Sequence, residues 1–216
     1  MPAKTSRSKP AAPRGAGRPA AAGALPDLRE AILREAKALF RTQGYAAVST
    51  NAVCTAVGIS KSTLYHYFAD KETLYAQVMV AMLKHGNALF TAGVGDAPTL
   101  REQLYRAGTG YFRFSPVSVA ATLRDAQAQL GEAAYREVQA AYEAYVLLPF
   151  ERLFAEAAAR GEVRPGRDAA LLAQVFLSML DAALTRFTGQ HGRKFAFADI
   201  ARECVDIFMD GVGRSR

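Results

Sequence analysis

Residues 49–68 read STNAVCTAVGISKSTLYHYF, and their pattern indicates the fold of the N-terminal part of the chain. Its apolar residues recur at the spacing expected of packed helices: Val53, Val57, Ile59, Leu64 and Phe68. The spacing predicts two short helices, at about 49–56 and 60–68. Gly58 lies between them, and glycine tolerates the positive φ that a sharp turn from helix to helix requires. Two short helices around such a turn form a helix-turn-helix, a motif of DNA-binding proteins.

The second of these helices carries a polar face that has no apolar residue to bury, formed by Lys61, Ser62, Tyr65 and His66. A face that is only solvated is more often built from Glu and Lys. Hydrogen-bond donors and stacking rings instead suit the base edges and phosphates of the DNA major groove. The first helix starts at Ser49-Thr50, where backbone amides and hydroxyls together favour a phosphate. The pattern therefore favours DNA binding through these two helices.

Two further helices are predicted on either side of this motif. Asp27 is placed to cap the preceding helix, with Glu30 completing a capping box, and Gly44 is placed to end it. Asp70 is placed to cap the following helix, which carries Leu74 on its buried side. The sequence thus predicts a head of three helices and a fourth helix that leaves it.

The run from Ser49 to Leu74 resembles the DNA-binding signature of the TetR/AcrR family. That signature reads T-T-x-x-I-A-x-x-A-G-V-S-x-G-T-L-Y-x-Y-F-x-S-K-E-x-L, and this chain has S-T-N-A-V-C-T-A-V-G-I-S-K-S-T-L-Y-H-Y-F-A-D-K-E-T-L. Ser62 replaces a common glycine, and Cys54 replaces a common alanine. The resemblance implies DNA-backbone contacts by four residues: Thr50, Thr63, Tyr67 and Lys71. It implies base contacts by the polar face: Lys61, Ser62, Tyr65 and His66.

The rest of the chain has helical periodicity, so the predicted fold class is all-α. Helices are expected at about 99–114, 117–130, 132–160, 168–188 and 197–211. The chain divides into a disordered basic tail (1–26), a helix-turn-helix DNA-binding domain (27–85) and an effector-binding and dimerisation domain (86–216). The expected architecture is a three-helix head joined by the fourth helix to a larger bundle.

Basic residues concentrate at the N-terminal end of the chain, whose formal net charge is +7. Residues 1–26 hold five basic and no acidic residues, residues 27–85 hold seven against five, and residues 86–216 hold fifteen of each. A positive end beside a neutral remainder suits a polyanion, although a solubilising tail would give the same pattern. Gly17-Arg18-Pro19 resembles arms that enter the DNA minor groove. A diffuse electrostatic arm is the alternative.

The last two predicted helices carry apolar faces wider than one core-facing stripe requires. Phe176 and Val175 lie in the first of them and Phe208 in the second. In the resembled family these helices pair with their copies in a dimeric four-helix bundle. The resemblance therefore implies a homodimer and an inverted-repeat operator in double-stranded DNA. A thick monomer core is the alternative.

The resemblance also implies an unidentified small-molecule effector bound among the bundle helices. Aromatic and flanking residues form the candidate set: Tyr105, Gly108, Tyr111, Phe112, Tyr142, Phe176 and Met179. Phe114 and Tyr145 belong to the same two aromatic clusters. Core packing is the competing role for each of them, and no arrangement of buried charges names a ligand.

Other function classes find little support in the sequence. The two cysteines and three histidines are isolated, so no metal site, cofactor site or catalytic triad is predicted. No signal peptide and no apolar run of about 20 residues is seen, which predicts a cytoplasmic protein without a membrane partner. The predicted function is sequence-specific transcriptional regulation, as a repressor that an effector releases from its operator. The alternative is a DNA-binding architectural protein without an effector.

Overall fold

A computed structural model describes residues 24–92, 94–114, 118–187 and 196–212. Within these residues the fold is all-helical, which confirms the predicted class. The helices are α1 (Ala24–Ala47), α2 (Thr50–Val57), α3 (Lys61–Tyr67), α4 (Lys71–Thr91), α5 (Leu100–Phe114), α6 (Val119–Gln129), α7 (Glu132–Tyr142), α8 (Leu148–Ala159), α9 (Ala169–Phe187) and α10 (Phe197–Val212). A π-helical turn, Glu143–Leu147, joins α7 to α8. Residues 1–23, with the Gly17-Arg18-Pro19 motif, lie outside the described residues.

Helix α1 begins three residues before the predicted start, so the last residues of the predicted tail are helical. Asp27 lies in the first turn of this helix and not at its N-cap. Pro26 is compatible with that position because the first N–H groups of a helix have no partner within it. The negative charge of Asp27 also suits the positive end of the helix dipole. Gly44 has φ 79° and ψ 163°, so it interrupts the helical backbone as predicted.

Two hydrophobic cores form within the described residues. The head core joins α1, α2, α3 and the start of α4, and it buries Ile32, Phe40, Val53, Leu64, Phe68, Leu74 and Val78. The bundle core joins α4 to the remaining helices and is rich in phenylalanine. Helix α4 contributes to both, with Leu74 and Val78 in the head core and Met79 and Leu83 in the bundle core. It therefore ties the position of the head to the packing of the bundle.

The segment predicted as one helix over 132–160 is two helices joined by the π-helical turn. Pro149 explains the interruption, because proline has no N–H to donate to the carbonyl four residues before it. That carbonyl belongs to Tyr145, and the side-chain amide of Asn87 on α4 donates to it at 2.9 Å. The hydrogen bond from Asn87 to the Tyr145 carbonyl thus links α4 to the π-helical turn.

The rings of Phe176 on α9 and Phe208 on α10 lie 5.1 Å apart, and Leu180 and Ala201 both lie beside Gly108, so the two helices run antiparallel. Both rings are buried in the bundle core. The most exposed apolar side chains of these helices are different residues: Leu171, Val175 and Ile207 are 62%, 49% and 61% exposed. The wide apolar faces therefore separate into a core side, which holds the phenylalanines, and an outer side. We call Leu171, Val175 and Ile207 the outer apolar face.

Helix α9 has the length and composition of a membrane span, with 19 residues and a mean hydropathy of 1.4. This corrects the expectation that no segment reaches that length and composition. Six of its side chains are nevertheless buried in the bundle, among them Leu172, Leu177 and Leu180. Asp181 on the same helix accepts hydrogen bonds from α5 and from the start of α6. We interpret α9 as a core helix with a second apolar face.

Candidate nucleic-acid interface

Both helices of the motif have well-formed ends. The side chain of Ser49 caps α2 by accepting a hydrogen bond from the amide of Ala52 at 3.1 Å. Gly58 follows α2 with φ 77°, and the amides of Gly58 and Ile59 both donate to the carbonyl of Cys54, at 2.9 and 3.0 Å. The left-handed glycine therefore reverses the chain within a few residues and sets α3 across α2.

The polar face of α3 is exposed, while the opposite side of the helix is buried. Leu64 and Phe68 lie in the head core. Lys61, Ser62, Tyr65 and His66 are all exposed, with Tyr65 at 42%. Successive helical residues are rotated by about 100°, which places these four on one continuous arc. The ammonium group of Lys61 lies 5.7 Å from the ring centre of Tyr65, so the arc joins a cation, an aromatic ring and hydroxyl donors.

Three hydroxyl groups form a hydrogen-bonded cluster at the start of α3. The Ser60 hydroxyl accepts from the amide of Thr63 at 3.1 Å and lies 2.8 Å from the hydroxyls of both Ser62 and Thr63. Thr50 at the start of α2 is half-buried, as is Thr63. These hydroxyls lie at the N-terminal ends of their helices, where the helix dipole favours an anion.

Lys71 at the start of α4 is held against the end of α1. Its ammonium group lies 4.3 Å from the ring centre of Tyr45 and donates to the carbonyl of Ala46 at 3.4 Å. Asp70 caps α4 by accepting from the amide of Thr73 at 2.7 Å, as predicted, and this hydrogen bond lowers the pKa of the carboxyl group. Lys71 thus presents its charge from a fixed position beside α3.

Tyr67 differs from the other predicted DNA contacts. Its hydroxyl is buried and has no hydrogen-bond partner among the described residues. The ring lies 5.4 Å from that of His66 in an edge-on arrangement. A phosphate contact by Tyr67 stays a prediction, and it requires the hydroxyl to become exposed.

Polar contacts tie the head to the bundle through α4 and α7. The carboxylate of Glu72 accepts from the amide of Gly131, immediately before α7, at 3.0 Å. Gln77 on α4 accepts from Arg29 on α1 at 2.8 Å and donates to Glu137 on α7 at 2.9 Å. A displacement of α7 would therefore act on both α1 and α4.

A cavity of about 170 Å³ lies between α5, α6, α7 and α9. Tyr111 and Tyr142 from the predicted effector set line it together, beside Leu177 and Asp181. Burial raises the pKa of both tyrosine hydroxyls, and the nearby charge of Asp181 raises it further. Two of the predicted aromatic residues thus meet at a cavity that also holds a carboxylate.

The other predicted effector residues lie elsewhere. Phe112 and Phe176 are fully buried and pack in the bundle core, and Met179 packs against it. Gly108 is a packing position, because a Cβ there would lie 3.4 Å from Leu180. The guanidinium group of Arg202 lies 4.8 Å from the ring centre of Tyr105. The cavity therefore does not involve these residues.

Asp181 is the residue that sequence reasoning missed. Its carboxylate accepts from the hydroxyls of Tyr111 at 3.2 Å and Ser118 at 2.6 Å, and from the amides of Val119 at 2.8 Å and Ala120 at 3.4 Å. The available signal was a single acidic residue within the apolar run of α9. Asp181 itself is half-buried, and its donors come from distant parts of the chain, so the cluster is visible only in the packed structure.

The chain matches known proteins in sequence and in fold. Residues 32–78 match the family model described as bacterial regulatory proteins of the tetR family. The HTH-type transcriptional regulator EthR of Mycolicibacterium smegmatis is 31% identical over 120 residues, which cover 56% of this chain and 54% of EthR. The match therefore spans about half the length of that relative. The uncharacterized HTH-type transcriptional regulator YhgD of Bacillus subtilis is 24% identical over 166 residues, covering 76% of this chain and 86% of YhgD.

The fold of the chain also matches solved structures. The crystal structure of the transcriptional regulator FadR from Bacillus subtilis in complex with stearoyl-CoA superposes with a TM-score of 0.72 at 16% identity. The match covers 84% of this chain and 98% of that one. At this identity the likeness establishes the fold, which includes the arrangement of the head on the bundle.

Proposed function

Because the chain belongs to the TetR family of DNA-binding transcriptional regulators, we propose that it is a cytoplasmic repressor that a small-molecule effector releases from its operator. The family is not enzymatic. The polar face of α3 carries the proposal, since Lys61, Ser62, Tyr65 and His66 are exposed together on one arc. A cation, an aromatic ring and hydroxyl donors on a short helix suit base edges in the major groove. Lys71, Thr50 and Thr63 flank that arc and are assigned to phosphates.

The outer apolar face supports assembly as a homodimer. Leu171, Val175 and Ile207 expose apolar surface on α9 and α10, and such surface on a soluble protein marks an interaction site. Because Phe176 contacts Phe208, Val175 and Ile207 lie at the same level of the two antiparallel helices. A symmetric dimer through this face presents two α3 helices, so the operator is an inverted repeat.

Helix α7 supports the release of DNA by an effector. It ends at Tyr142, which lines the cavity, and it begins beside Gly131, whose amide donates to Glu72 on α4. A ligand that displaced Tyr142 would move a helix that is hydrogen-bonded to the head. In the dimer such a movement would change the spacing of the two α3 helices relative to the DNA.

Selection of bound fragments from a genomic DNA library tests the proposed function. We expect an inverted repeat to be enriched and to bind with a specificity ratio over random DNA of roughly a thousandfold or more. The genes beside the operator then indicate which small molecules to test, and the effector among them should lower the affinity of the protein for the operator. Affinity that stays equal for all sequences would support the alternative of an architectural DNA-binding protein.

Replacing Tyr65 by alanine is expected to weaken operator binding by about 1–3 kcal/mol, because its ring and hydroxyl face the base edges. Binding to random DNA should change much less. Fluorescence anisotropy on both DNAs measures the two effects, and Tyr65→Phe separates the hydroxyl from the ring. Equal losses on operator and random DNA would remove Tyr65 from base recognition.

Replacing Lys71 by alanine is expected to weaken binding to every DNA sequence. The slope of log affinity against log salt concentration should become shallower by about one unit, because one phosphate contact is lost. Lys84→Ala is the matched control, since Lys84 is an exposed lysine about 20 Å further along α4. A slope that is the same in the Lys71 variant and the wild type would restrict Lys71 to its contacts with Tyr45 and Ala46.

A further inference from the structure

We propose that the cavity between α5, α6, α7 and α9 is the effector site, and that its effector is a small organic cation with an apolar body, such as a protonated arylalkylamine. Tyr111, Tyr142 and Asp181 form the site, with Leu177 as apolar wall and Gln174 and Ser178 at its mouth. The inference rests on the proposed function, because it names the chemistry of the effector assumed there.

The charge of the cavity is the first argument. Asp181 accepts four hydrogen bonds, and all four donors are neutral groups. Among the described residues, no lysine or arginine forms an ion pair with Asp181. Two of the donors are the first amides of α6, and a helix start supplies about half an elementary charge. Part of the negative charge therefore remains, and a bound cation would neutralise it.

The tyrosine rings are the second argument. Tyr142 is half-buried and lines the cavity, and none of the hydrogen bonds to Asp181 comes from its hydroxyl. Burial and, after it, the charge of Asp181 raise the pKa of both tyrosine hydroxyls, and the Asp181 carboxylate lies at the Tyr111 hydroxyl and lines the same cavity as Tyr142. Aromatic faces beside a carboxylate attract cations, and a tyrosine hydroxyl can accept a hydrogen bond from an ammonium group. The negative charge of Asp181 repels a carboxylate ligand.

The size and position of the cavity are the third argument. Its volume of about 170 Å³ is close to the roughly 150 Å³ that holds a benzene molecule in another protein. Gln174, Ser178 and Ala182 at the mouth are exposed on α9, beside the outer apolar face. The partner helix of a dimer would close the mouth and remove a bound ligand from water. A small ligand with one charge and one ring fits this enclosure.

Three probes of one shape test the inference on the full-length protein: benzylamine, benzyl alcohol and benzoate. Isothermal titration calorimetry at neutral pH should show that benzylamine binds at least about tenfold more tightly than benzyl alcohol. Benzoate should give no saturable binding. Asp181→Asn keeps an oxygen that accepts from the α6 amides but removes the charge. In this variant the affinities for benzylamine and benzyl alcohol should lie within about twofold of each other. Asp96→Asn, an exposed loop residue, is the matched control and should keep the preference.

The outcomes separate this inference from the proposed function. Benzoate binding as tight as that of benzylamine, no saturable binding of any probe, or a cation preference that persists in Asp181→Asn would each overturn it. Operator binding by the same preparations is measured by anisotropy, and circular dichroism melting confirms that the variants are folded. Specific operator binding without cation preference would leave the DNA function standing and reject the effector chemistry. Failure to select any DNA would instead reject the proposed function.

Discussion

Replacing Val175 by arginine is expected to give a folded monomer that binds the operator roughly a hundredfold or more weakly than the wild type. Val175 is 49% exposed on α9, so the monomer can accommodate a long charged side chain there. In a symmetric dimer the substitution occurs twice in one interface, and it buries two like charges without partners. A monomer engages one half-site at a time, and loss of such bivalency costs about 10²–10⁴ in affinity.

Light scattering after size-exclusion chromatography measures the assembly, and fluorescence anisotropy measures operator affinity. Leu89→Arg is the matched control, because Leu89 is also an exposed apolar residue but lies on α4. The control should remain dimeric. A Val175→Arg protein that stays dimeric at micromolar concentration would exclude this face from the interface, and a monomeric wild type would exclude the dimer.

Replacing Phe176 by alanine is expected to lower the free energy of unfolding by about 3–5 kcal/mol. Phe176 is fully buried, and its ring centre lies 5.8 Å from that of Phe150, 6.3 Å from Phe154 and 5.1 Å from Phe208. Truncation leaves a cavity at the meeting point of α8, α9 and α10. Because Phe176 and Phe208 are both buried, arginine at either position is expected to prevent folding, so the dimer interface is tested at Val175 instead.

Urea denaturation at one fixed protein concentration measures the loss, since dimerisation contributes to stability. Leu89→Ala, at an exposed position, should cost less than about 1 kcal/mol. A loss below about 1 kcal/mol for Phe176→Ala would show that the bundle core does not depend on this ring. Substitutions at these neighbouring residues are thus expected to have different effects: Val175→Arg prevents dimerisation, and Phe176→Ala destabilises the fold.

The head could be predicted from the sequence alone, because its helix caps, its turn and its exposed arc depend on residues close together in the chain. Ser49, Ser60 and Asp70 cap the helices that follow them within three residues. Gly58 makes its turn through its own backbone conformation. The exposed arc of α3 follows directly from helical periodicity. Only the start of α1 was misplaced, because Pro26 and Asp27 suit a first turn as well as a boundary.

The outer apolar face and the Asp181 cluster could not be predicted in this way, because they depend on residues far apart in the chain. Val175 and Phe176 are both apolar residues in the wide apolar face predicted for α9. Only the packing of α9 on α8 and α10 shows that Phe176 is buried and Val175 is exposed. Asp181 gains its hydrogen bonds only when Tyr111 and Ser118, which lie 70 and 63 residues earlier in the chain, are brought to it. Buried polar groups require such partners, and the partners of a single acidic residue cannot be identified until the helices are packed together.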